Sequence, residues 1–142
     1  MPTYTLNKSE RLKSYIRIRE LFAKGRKIRQ FPLILFYSIE PRTKEDSGDP
    51  LKMGVSVSAR AFKRAVDRNL VKRRIREAYR LQNNTLKQNV RESEFNLDVF
   101  LVYSDHKMAD YETIAVSVEK LLDKLNQYFT TYIAEKGDGH ER

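Results

Sequence analysis

Residues 65–80 (AVDRNLVKRRIREAYR) restrict the fold more than any other stretch of the chain. At roughly 100° per residue, Leu70, Val71, Ile75, Ala78 and Tyr79 fall within one half of a helical circle. Asn69, Lys72, Arg73, Arg76 and Arg80 cluster on the other half, with Arg74 near the apolar stripe and Arg68 near its opposite edge. Such a helix has to bury one face and cannot bury the other. It must dock on a second layer and present a ridge of cations stacked three and four residues apart. Like charges this close repel unless a polyanion neutralises them, and only Glu77 is locally available to do so. A membrane-surface helix would need large exposed apolar residues, whereas this stripe is committed to a core. Arginine suits phosphate because its planar fork holds two oxygens at once.

The charge of the whole chain supports that reading. Its 142 residues carry a formal net charge of +9. Residues 1–30 hold nine Lys/Arg against two acids, and residues 59–80 hold nine against two, so each stretch nets +7. Residues 31–58 net −1 and residues 81–142 net −4. If folding brings the two basic stretches together, they form one concentrated positive surface. That is the footprint of a nucleic-acid binder, since clustered cations release counterions from backbone phosphates.

The inventory excludes much else. With no Cys there is no disulfide scaffold, thiolate zinc site or cysteine nucleophile, and with only His106 and His140 there is no paired-histidine nuclease. No GxGxxG or P-loop run cradles a nucleotide cofactor. Asp98, Asp105 and Asp110 lack metal-ligand spacing, and Asp105 or Asp110 is a candidate cap for the last helix. No run reaches the roughly 18–20 apolar residues of a membrane span, and no secretory signal is evident. The expectation is a cytoplasmic protein with no membrane partner, no resident metal and no catalytic residue of its own.

Periodicity predicts a helix over 9–24, started by an Asn7-x-x-Glu10 capping box or later, and ended at Gly25. A strand follows at Leu33–Ile39, with a further strand near 26–31. Residues 40–50 read as a long hairpin loop, and 51–58 as a half-buried strand. The basic helix is firm from about Asp67, a candidate N-cap, to Gln82, and 83–94 is a polar connection. Phe95–Tyr103 is a strand with Leu97, Val99, Leu101 and Tyr103 on one side and Phe100 and Val102 on the other. The last helix spans Tyr111–Ala134. The expected architecture is α+β, in the order α-β-β(-β)-α-β-α, as two layers around one core. Residues 1–135 form a single RNA-binding domain, and 136–142 a mobile polar tail.

Residues 53–80 (MGVSVSARAFKRAVDRNLVKRRIREAYR) carry a resemblance. They are similar to the signature region of the bacterial ribonuclease P protein family, in which a Val-Ser strand leads into a helix bearing an Arg-Asn-Arg-x-x-Lys-Arg-x-x-Arg-type run. The likeness extends over about residues 6–130, through a basic Arg-Leu-Lys stretch and a helix ending Leu21-Phe22-Ala23-Lys24-Gly25. It implies a two-layer α/β sandwich similar to the second domain of ribosomal protein S5, with a left-handed β-α-β crossover. It also implies the partners, a catalytic RNA and precursor tRNA whose 5′ leader is cleaved, with chemistry by the RNA and its Mg²⁺.

Residue by residue, Arg68 and Asn69 match the first two motif positions, and Lys72, Arg73 and Arg76 the later basic ones. Arg80, Arg60, Lys63 and Arg64 extend the same basic surface. Leu70 stands where the motif's second Arg is expected, and Ala59 where a Lys usually follows the strand. Phe22 matches an aromatic of the family's leader cleft, and Ile18 stands where many members have Phe. Phe36 or Tyr37 supplies the strand's cleft aromatic, and parity leaves both open. On physical grounds, a basic groove with aromatic platforms holds single-stranded RNA. The alternative function is a general RNA-binding or ribosome-associated module without a cleavage role.

Overall fold

The computed structural model describes residues 8–46 and 48–140, the last four as backbone alone. A 3-10 turn at Lys8–Glu10 precedes helix α1 (Tyr15–Lys24) and strands β1 (Arg26–Gln30), β2 (Leu33–Pro41) and β3 (Leu51–Val57). Helices α2 (Ala65–Gln82) and α3 (Asn84–Glu92), strand β4 (Phe95–Tyr103) and helix α4 (Tyr111–His140) complete the chain. The strands form one sheet in the order β1-β2-β4-β3. The β1–β2 and β2–β4 pairs are antiparallel, and β3–β4 is parallel, joined through α2 and α3. The α+β class follows, with the extra strand at β1.

Period-two alternation sorts the side chains. Leu33, Leu35, Tyr37, Leu97, Val99, Leu101 and Tyr103 point to the face that α2, α3 and α4 cover. They pack there with Val71, Ile75 and Tyr79 of α2 and with Ile114, Val118, Leu121, Leu125 and Phe129 of α4. Burying a large apolar side chain contributes roughly 1.5–3 kcal/mol, against about 0–1 for an exposed ion pair, so this layer decides the fold. The alternate residues Phe36, Phe100 and Val102 face the other way and meet Leu12, Ile18 and Leu21. One expected core is thus two: a large one under three helices and a small one under α1.

Five boundaries differ from the sequence reading. Residues 9–24 are not one helix: Arg11 bridges to Met53, and the Leu12 N–H donates to the Met53 carbonyl at 3.0 Å. Leu12 is buried as an extension alongside β3, and α1 starts after Ser14, whose hydroxyl accepts from the Arg17 N–H. Asn7 lies outside the described residues. Residues 40–50 are not a hairpin loop, because β4 inserts between β2 and β3. The connection runs past the start of β4, tied by Arg42 N–H to Glu94 O and Leu97 N–H to Pro50 O, both at 2.8 Å. Helix α2 begins at Ala65, so Asp67 lies in its first turn and pairs with Arg64 instead of capping. The expected polar connection at 83–94 contains α3, which buries Leu86 and Val90 one turn apart. Helix α4 passes its expected end at Ala134 and runs to His140, no proline interrupting it.

Candidate nucleic-acid interface

Strand register places Lys27, Phe36, Phe100 and Gly54 side by side across all four strands, on the face that α1 partly covers. Phe22 of α1 stands over this row. Its ring centroid is 4.8 Å from that of Phe36 and 5.0 Å from that of Phe100, both edge-on, and it remains 42% exposed. The Lys27 Nζ lies 5.7 Å from the Phe36 centroid. Gly54 is required here because a Cβ would come within 2.5 Å of the Phe100 Cε2. The ring therefore lies over bare backbone, and the end of the row stays open.

Beyond Phe100, a groove of about 460 Å³ is lined by Arg11, Lys13, Ile18, Gly54, Phe100 and Arg76 among others. The two basic stretches meet in this groove, one through Arg11 and Lys13, the other through Arg76 of α2. Partial burial lowers the pKa of Arg76, and the neighbouring charge of Arg11 lowers it further. An arginine nonetheless stays protonated at neutral pH, so the strain is that of like charges crowded beside apolar rings. A bound anion relieves it.

Helix α1 is held over the sheet by a part-buried charge pair. Arg17 Nε donates to Asp98 Oδ2 at 2.9 Å, and its Nη2 donates to Oδ1. Burial pushes the Asp98 carboxyl up, and the Arg17 guanidinium partly pulls it back.

The expected basic residues divide by what they touch. Arg60, Lys63, Asn69 and Arg73 are exposed, and Lys72, Arg76 and Arg80 are half-buried. Arg64 is exposed and pairs with Asp67 at 3.0 Å. Arg68 turns back: its Nη1 donates to the Phe62 and Lys63 carbonyls at 2.7 and 2.9 Å, fixing the turn before α2. Arg74, on the stripe side as expected, donates to the Ala109 carbonyl at 2.8 Å. Leu70 is half-buried, outside the tight stripe of Val71, Ile75, Ala78 and Tyr79.

Of the expected cleft residues, Phe22, Ile18 and Phe36 share one face. Tyr37 does not: it is buried on the opposite face and stacks on Tyr128 of α4. Register resolves the ambiguity in favour of Phe36. Phe100, Gly54, Arg11 and Lys13 are groove residues that the sequence reading did not single out. Their available signal was parity, since Phe100 opposes the main-core side of β4. Asp110, not Asp105, caps α4, its Oδ1 accepting from the Thr113 N–H at 2.9 Å. Among the described residues no group of three or more His, Asp or Glu converges on a metal-sized site.

A family model described as Ribonuclease P matches residues 6–126. The chain belongs to the ribonuclease P protein family. The ribonuclease P protein component of Porphyromonas gingivalis is 36% identical over 127 residues, covering 87% of this chain and 88% of that one. Its counterpart from Clostridium novyi is 28% identical over 123 residues, covering 87% and 99%. Among solved structures, the Staphylococcus aureus RNase P protein superposes with a TM-score of 0.61 at 23% identity, covering 83% of this chain and 96% of that one. The Thermotoga maritima RNase P protein gives 0.60 at 16%, covering 81% and 96%. At these identities the structures speak for the fold. The ribonuclease P match takes in the aromatic row, the groove and all of α2, and stops short of the last turns of α4.

Proposed function

We propose that this chain is the protein subunit of ribonuclease P in tRNA processing, holding RNA on two joined surfaces while the RNA subunit cleaves. The ridge of α2, through Asn69, Lys72, Arg73 and Arg76 with Arg60, Lys63, Arg64 and Arg80 around it, takes phosphates. The trough between α1 and the sheet, from Lys27 and Phe36 past Phe22 to Phe100, takes the single-stranded 5′ leader of precursor tRNA. Arg68 acts chiefly by setting the turn that leads into the ridge. The observation that best supports this reading is the convergence of Arg11, Lys13 and Arg76 beside Phe100. Cations from both basic stretches then border aromatic faces on which bases stack.

In this reading the metal ions of the reaction, Mg²⁺ among them, are held mainly by the RNA. No described helix is long and apolar enough to cross a membrane, and we place the protein in the cytoplasm with its RNA.

The test is reconstitution. Precursor tRNA is incubated with the protein, with the cognate catalytic RNA, and with both, at near-physiological Mg²⁺. Cleavage that needs both components, with Phe22→Ala weakening precursor binding and sparing that of leaderless tRNA, is the expected result. Binding without stimulation would instead indicate a general RNA-binding module, and cleavage by protein alone a self-sufficient nuclease.

A further inference from the structure

A second concave surface lies around the edge of the sheet from the aromatic trough. It is a groove of about 740 Å³ between the start of β1 and the last turns of α4. Lys24, Arg26, Lys27 and Lys136 border it, together with Tyr128 and Tyr132. All four cations are exposed, and none of them joins the ion pairs among the described residues. Glu135 is the one acid in the lining. Tyr128 stacks on Tyr37 with centroids 6.5 Å apart and planes 14° apart, yet stays 49% exposed. Lys136 Nζ lies 5.6 Å from the centroid of Tyr132.

This is the composition of the trough repeated on the other face of the sheet, and the two are joined. Strand β1 is an edge strand whose successive residues point to opposite faces. Lys27 pairs in register with Phe36 and reaches its ring, on the trough side. Arg26 pairs with Tyr37 and sits beside its hydroxyl, on the α4 side. Lys27 also lines the second groove. A chain of phosphates leaving the trough thus meets Lys27 on one side of the edge and Arg26 on the other. Tyr128, Tyr132 and Lys136 lie beyond residue 126, where the family match ends.

We propose that the groove between β1 and the end of α4 binds the distal part of the precursor's 5′ leader, the single strand passing from the trough around the β1 edge onto Tyr128. The proposal rests on the reading of the trough as the leader site, and commits to the leader because Lys27 serves both surfaces.

The experiment uses the reconstituted holoenzyme and two precursor tRNAs, one with a leader only long enough to fill the trough and one with a long leader. Tyr128→Leu keeps an apolar cover over Tyr37 and removes the exposed ring. It should weaken binding of the long-leader precursor by about tenfold, as loss of one stacking platform does, and leave the short-leader precursor unchanged. Tyr128→Phe should restore it. Lys24→Gln with Lys136→Gln should flatten the salt dependence for the long leader alone. Equal loss with both precursors would place the contact on catalytic RNA or the tRNA body and overturn the proposal. No loss with either, while Phe22→Ala weakens both, would overturn it and leave the trough reading standing. No loss from Phe22→Ala would remove that reading itself.

Discussion

Asp98 is a charged residue in an apolar setting, a carboxylate 7% accessible on a sheet face shared with Phe100 and Val102. Its burial is tolerated through Arg17, which reaches it with two hydrogen bonds. Arg17→Met should cost about 2 kcal/mol near neutral pH, less than a fully buried pair would, since Arg17 is about one-third exposed. The pH dependence follows from the direction of the shift. Burial raises the folded pKa of Asp98 above its unfolded value, so this group favours the folded state most below the unfolded pKa and loses that contribution as pH rises through the folded pKa. Without Arg17 the folded pKa rises further, and the deficit of the variant should shrink as pH falls through that raised folded pKa, where the buried carboxyl takes up its proton. Urea unfolding of both proteins across this range measures it. A deficit independent of pH would mean that Arg17 acts by packing. None of this pairing was legible in the sequence, since the partners stand 81 positions apart and meet only because α1 lies on that face. The same limit held for Phe36 and Tyr37: both are aromatic, so alternation says that they part company and not which one faces α1.

At the scale of elements, α2 divides its arginines between fold and function, and two substitutions should separate these tasks. Arg73 is exposed and makes no hydrogen bond or ion pair among the described residues. Arg73→Ala should leave the unfolding midpoint unchanged and reduce the slope of log affinity against log salt by about one, the signature of one lost phosphate contact. Arg68→Ala removes two bonds from a charged donor to the carbonyls of Phe62 and Lys63, and should cost about 1.5 kcal/mol of stability with a smaller change in slope. An unaltered slope for Arg73→Ala would count against phosphate contact there. Helix α2 was readable because its apolar and basic positions alternate densely over 18 residues. Helix α3 was not, because nine residues with Leu86 and Val90 alone on the buried stripe give too little period to read. The insertion of β4 between β2 and β3 was equally hidden, since strand order is settled by long-range pairing and by the helices that fill the crossover, not by the polar loop at 40–50.

For the molecule as a whole, the charge arithmetic located the two basic stretches correctly, and folding makes their proximity a cost. Bringing Arg11 and Lys13 next to Arg76 concentrates like charge that an extended chain keeps apart. Among the described residues, Glu10 pairs with Lys87, Asp49 with Arg91, and Asp98 with Arg17. Two mechanisms of relief can be told apart. General screening depends on ionic strength alone and acts weakly on groups held close together. Occupation of the groove by a polyanion is a binding equilibrium, which stabilises by about 2.7 kcal/mol at one hundred times its dissociation constant and saturates. Tripolyphosphate should therefore raise the thermal midpoint more than sodium chloride of equal ionic strength, with a saturating dose response. Arg76→Gln should reduce that excess while raising the midpoint in salt-free buffer, because it removes a partly buried charge from a crowded positive site. Coincident curves for the two salts would mean that the positive charge is merely spread over the surface, and that the meeting of the two stretches makes no anion site.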